Sequence, residues 1–117
     1  MTMFTEQIDT KKGLVYMAGK KEIYVKIANL FLKEMDAKAE ELNQFFQAGD
    51  FENLTIRIHG LKSSAASLGA TVFPQFAQEL ENAGKAHNEA LIREKFDAFV
   101  EQYKDTCGAL AQVVATL

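Results

Sequence analysis

Cysteine is almost missing from this 117-residue chain. Cys107 stands alone, so no intramolecular disulfide can form. With only two histidines beside it, the chain also lacks the ligand set of a structural zinc site, and no metal is expected. Proline occurs once, at Pro74, and no low-complexity linker or repeat appears. Long hydrophobic runs are lacking. The longest uncharged stretch, Ser63 to Gln78, contains Gly69, Pro74 and many polar residues, and is too short and too polar to span a bilayer. Met1 to Thr10 has no basic start and no apolar run, so no secretory leader is read there. A soluble cytoplasmic protein with no membrane partner is expected. There is no excess of basic charge either. The formal net charge is −3, which argues against a nucleic-acid binder. The pairs Lys11-Lys12 and Lys20-Lys21 read as solvated charges. Glycine-rich nucleotide loops, paired metal carboxylates and kinase signatures are all lacking, so no ATP site is visible.

What is present is helical periodicity punctuated by glycine. The length suits one domain over residues 1–117, able to bury roughly 65% of its unfolded surface. A short first helix is expected from Thr10 to Met17, with Asp9 as its N-cap and Gly19 as its end. Residues 21–48 carry apolar positions at Ile23, Ile27, Leu30, Phe31, Met35, Leu42, Phe45 and Phe46. This spacing predicts a helical face, in one helix or in two broken near Asp36. Gly49-Asp50 is a joint, a left-handed C-cap followed by an N-cap. Beyond it, Phe51, Leu54, Ile58, Leu61, Ala65 and Leu68 alternate in steps of three and four, the seam of a bundle helix that Gly69 ends. The next helix starts near Thr71, with Pro74 in its first turn. Its core face is Phe73, Phe76, Ala77, Leu80 and Ala83, and Gly84 is expected to stop it. The last helix runs from about Asn88 to near the end, on Ile92, Phe96, Phe99, Tyr103, Leu110 and Val114. Four amphipathic segments with short joints predict an all-α antiparallel four-helix bundle with a short extra N-terminal helix.

Chemistry concentrates in His59-Gly60-Leu61-Lys62-Ser63-Ser64-Ala65-Ala66-Ser67-Leu68-Gly69. His59 lies one residue, about 100°, off the seam, at the edge of the buried stripe. Lys62 shares its face one turn on. The neighbours are small, which makes a flat surface suited to close approach by another protein. Glycine at position 60 costs a helix roughly 1 kcal/mol and so asks for a reason, either close approach or tight packing. His87 reads as an exposed loop or helix-start residue, and Cys107 as a half-buried structural thiol.

This pattern resembles the histidine-containing phosphotransfer (HPt) domain, whose signature runs His-x-Leu-Lys-Gly, five residues, then Gly. Here it is His59, Leu61, Lys62 and Gly69, with Ser63 where the family usually has glycine. The resemblance covers most of the chain and includes the Gly49-Asp50 joint and the Leu80-Glu81 pair. It implies a stand-alone phosphorelay intermediate and phosphoprotein. His59 would accept a phosphoryl group on Nε2 from a receiver-domain aspartate and pass it to another receiver. Lys62 would neutralise phosphate charge, and Gly60, Ser63, Ala66 and Gly69 would support the site or permit close approach. Glu81 is the candidate that holds Nδ1, with a solvated carboxylate as the alternative. Leu14 and Met17 of the short helix are candidate docking residues, with capping of the bundle core as the alternative. The resemblance further implies a carrier rather than an enzyme and a monomer without cofactor, any Mg²⁺ belonging to the receiver partner. The partners would be receiver domains of response regulators or hybrid histidine kinases. An adaptor that binds receivers without phosphotransfer is the alternative function. A general-base enzyme at His59 would need a second catalytic group and a cavity, and a metal-binding bundle would need more inward ligands.

Overall fold

In the computed structural model, which describes residues 7–117, the helical periodicity resolves into six helices among the described residues. Most of the stretch read for a leader, residues 1–6, lies outside them. Helix α1 spans Thr10–Tyr16, and the Asp9 side chain caps it by accepting from the Lys12 N–H at 3.1 Å. Helices α2 (Lys21–Lys33) and α3 (Met35–Gln47) meet at Glu34. The residues 21–48 are therefore two helices, but the joint stays close to helical geometry. The Glu34 N–H donates to the Leu30 carbonyl, and the Lys38 N–H to the Glu34 carbonyl. Gly49, at φ 70°, turns the chain, and Asp50 caps α4 (Phe51–Ser67) through the Asn53 N–H. Helix α5 spans Phe73–Lys85 with Pro74 in its first turn, and α6 spans Glu89–Thr116 from the Asn88 cap.

These helices form an antiparallel four-helix bundle, with α2 and α3 acting as one rod. Helix α4 packs on α5, α5 on α6, α6 on α2 and α3, and α3 on α4. Helix α1 lies across the end where α2 begins and α4 stops. There the Asp9 N–H donates to the Gly69 carbonyl at 2.7 Å, and the Tyr24 hydroxyl donates to the Leu68 carbonyl at 2.6 Å. Gly69 has φ 92°, and a methyl group on it would strike the Asp9 carbonyl. This glycine thus ends α4 and admits the crossing segment.

The core is aromatic at its centre. Phe73 lies 5.2 Å from Phe99 and 5.6 Å from Tyr103, while Phe31 meets Tyr103 edge-on at 5.8 Å. Each fully buried side chain of this size contributes roughly 1.5–3 kcal/mol. The expected faces of α4, α5 and α6 are largely the buried ones. Helix α2 differs. Ile23, Ile27 and Leu30 are exposed and Tyr24 and Ala28 are buried in their place, while Phe31 is buried as expected. Tyr24 can go inside because its hydroxyl has a carbonyl partner, and that rotates the isoleucines outward. Gly84 differs too. It lies within α5, closely packed on Thr55 of α4, and the chain leaves the helix at His87, a non-glycine residue with φ 55°. Cys107 is fully rather than half buried, and burial, with the charge of Asp36, pushes its thiol up to about 12.

Candidate functional site

The bundle places His59 in the middle of α4, on the side facing α5. Its neighbours Ile58 and Leu61 are buried, so the backbone beneath the ring is held by core packing. The side chain itself is 59% exposed. Its Nδ1 lies 2.9 Å from Oε2 of Glu81, a buried carboxylate on α5. The opposite ring nitrogen, Nε2, is turned away from this contact.

Glu81 organises the rest. Its Oε1 accepts from Lys62 Nζ at 2.6 Å, and its Oε2 is also 3.0 Å from Lys85 Nζ. Burial alone would raise this carboxyl, but hydrogen bonds from Lys62, Lys85 and His59 outweigh it and hold the group down at about 2. Glu81 is therefore ionised at neutral pH. An ionised carboxylate can only accept, so the His59 nitrogen facing it is the protonated one, and in the neutral tautomer this leaves the lone pair on Nε2. The same logic fixes ring orientation wherever a carboxylate backs a histidine. Lys62 is further held by the Gln78 Oε1 at 2.9 Å. The cluster thus joins one imidazole, one carboxylate and two ammonium groups, an electropositive setting for an incoming anion.

The outward surface is low. Gly60, Ser63 and Ser64 are exposed, and a side chain at Gly60 would meet open space. Tight packing within the bundle is therefore no reason for Gly60. Ala66 is half-buried, whereas Gly69 is buried under the Asp9 segment and is close only to the protein's own chain. Leu14 and Met17 are both partly buried against the core. The exposed apolar residues of α1 are Val15 and Tyr16.

Residues beyond the sequence reading also belong here. Gln78 and Lys85 lie one turn either side of Glu81, on the same face of α5, and that spacing was the available signal. Ile56, exposed one turn before His59, continues the same stripe of α4. No group of three or more potential ligands that could hold a metal occurs among the described residues, and none of their helices is long and apolar enough to cross a membrane.

The Hpt domain family model matches residues 26–114, a span that contains His59, Lys62, Glu81 and most of the four-helix frame. Hpt domains are helical bundles that carry phosphoryl groups in histidine phosphotransfer, without an ATP site of their own, and they interact with receiver domains of response regulators. Searches of curated proteins and of solved structures returned no significant match. A match over most of the chain, on a bundle that presents a carboxylate-anchored histidine, shows that this protein belongs to the Hpt domain family.

Proposed function

We propose that this protein is a phosphorelay intermediate whose His59 takes a phosphoryl group from a receiver-domain aspartate and returns it to a second receiver. The observation that carries this reading is the His59–Glu81 contact at 2.9 Å, which commits Nδ1 and leaves Nε2 as the nucleophile on an open surface. The Nε2 lone pair attacks phosphorus, the P–O bond to the donor carboxylate breaks, and its electron pair leaves with that carboxylate. The ring retains its Nδ1 proton and gains positive charge as the new bond forms. Glu81 faces that charge and stabilises it. Transfer to the second receiver is the reverse displacement, with an aspartate oxygen as the nucleophile. The phosphoryl group brings a charge of about −1.5 to −2, which Lys62 helps to balance. Receiver and Mg²⁺ supply the remaining stabilisation, since this chain needs no cofactor of its own for the displacement. The cell compartment is the cytoplasm, where receivers operate.

Docking needs apolar contact near the ring. We assign it to Val15 and Tyr16 of α1 with Ile23, Ile27 and Leu30 of α2, rather than to Leu14 and Met17. Leu68, where α1 crosses, is nine residues from His59, or about 13 Å along α4. That distance falls inside the footprint of an ordinary interface, about 800 Å² on each partner.

The test is transfer from a phosphorylated receiver to the wild-type protein and to His59→Gln. Acid-labile label on the wild type and none on a folded His59→Gln supports the reading. Stable receiver binding with no label on either would make the protein an adaptor and overturn it.

A further inference from the structure

Two lysines meet Glu81, and they are not equivalent. Lys62 is 20% exposed and is fixed by two acceptors, Glu81 and Gln78. Lys85 is 67% exposed and touches the carboxylate at 3.0 Å, on the oxygen that also faces His59. Its ammonium is thus one carboxylate oxygen away from the ring. An ammonium that stands mostly in water is screened at such a contact and exchanges readily with competing anions. If Lys85 leaves, Glu81 still keeps Lys62 and His59, so no buried charge is stranded. Lys85 also lines a groove of about 560 Å³ together with Ile56, the residue one turn before His59 on the same stripe. Its contact with Glu81 Oε2, the oxygen that faces Nδ1, is what brings its ammonium beside the ring.

We propose that Lys85 is a second phosphate-binding cation of this site, moving from Glu81 Oε2 to the phosphoryl oxygens on Nε2 while Lys62 stays on Glu81 and Gln78. The proposal rests on phosphorylation of His59. The movement makes the site responsive. Before transfer, Glu81 stores the second cation beside the ring. After transfer, the phosphoryl group draws it away, and the carboxylate is left to the ring and Lys62 alone.

The experiment labels the protein with phosphoramidate, whose P–N bond breaks as the Nε2–P bond forms, ammonia leaving with the electron pair and a proton from solvent. The wild type, Lys85→Ala, Lys85→Arg and His59→Gln are compared by ³¹P NMR across pH. A cation in contact favours the dianionic phosphoryl form. Lys85→Ala should therefore shift the phosphoryl ionisation upward by roughly half a unit and slow labelling by roughly threefold. Lys85→Arg should restore most of both. Thermal melting should fall only slightly, because Glu81 keeps Lys62 and His59 as donors. A phosphoryl ionisation in Lys85→Ala identical to that of the wild type would overturn the proposal while leaving His59 as the acceptor. Equal labelling of His59→Gln would instead overturn the reading of His59, and the proposal with it.

Discussion

At the scale of single residues, Glu81 carries the greatest electrostatic load. It is buried yet ionised, because three donors outweigh the cost of burial. Its folded value of about 2 lies below the ordinary 4.5. A depressed folded value gives stability that is complete above about pH 4.5 and is lost as pH falls toward 2. The contribution is on the order of 3 kcal/mol. Denaturant unfolding of the wild type near pH 6 and near pH 3 should show part of this loss. Glu81→Gln should flatten the change in that window and, under the proposed function, slow phosphotransfer as well, because a neutral amide would stabilise a charged ring less well. A Glu81→Gln protein with the wild-type pH dependence would show that the carboxylate is not the acid-sensitive group. Tyr103 is the opposite case. Its hydroxyl is buried without a hydrogen-bond partner among the described residues. Tyr103→Phe should leave stability unchanged or raise it by about 1 kcal/mol, read from urea midpoints.

At the scale of elements, two glycines on the α4–α5 pair behave differently. Gly84 packs on Thr55, and an added methyl group would strike that side chain. Gly84→Ala should cost about 1–3 kcal/mol by forcing the two helices apart. Gly60 faces open space in a helix interior. Gly60→Ala should raise stability by about 0.5–1 kcal/mol. Under the proposed function, the same change should slow receiver-dependent transfer, because the methyl group stands where the partner must approach. A variant that is both more stable and equally fast would remove close approach as the reason for this glycine.

At the scale of the whole molecule, exposed apolar side chains gather at one end. Val15 and Tyr16 are exposed on α1 where it crosses the bundle, and the exposed Ile23, Ile27 and Leu30 continue from that end along α2. The α2 stripe runs on through Glu34 and Lys38 to Glu41, which pairs with Arg57 of α4 at 3.0 Å. The stripe therefore meets α4 on the edge that faces α3, while His59 stands on the edge that faces α5. Ile27→Asp should weaken receiver binding roughly tenfold or more with little change in melting temperature. Leu14→Glu should mainly lower the melting temperature, since Leu14 packs against the core. Titration calorimetry and thermal melts on the same two variants separate these effects.

Much was legible in the chain itself. Steps of three and four set the seams of α4, α5 and α6, because one face of each must leave water. The short joints required antiparallel neighbours, and Asp9, Asp50 and Asn88 began helices where unpaired N–H groups needed an acceptor. The His59 motif stood out because an imidazole, a lysine and small residues share one helical stretch. Other features depended on contacts distant in sequence. Tyr24 took the core position of α2 because the Leu68 carbonyl, 44 residues away, receives its hydroxyl. Gly84 proved to be a packing contact rather than a stop because Thr55 lies against it. The sequence alone determined that this chain makes a bundle of helices with a histidine near its surface. Only the tertiary structure decided which way the isoleucines face and which two lysines share a carboxylate with that histidine. Periodicity reports that a face is apolar, but burial depends on the partner that covers it.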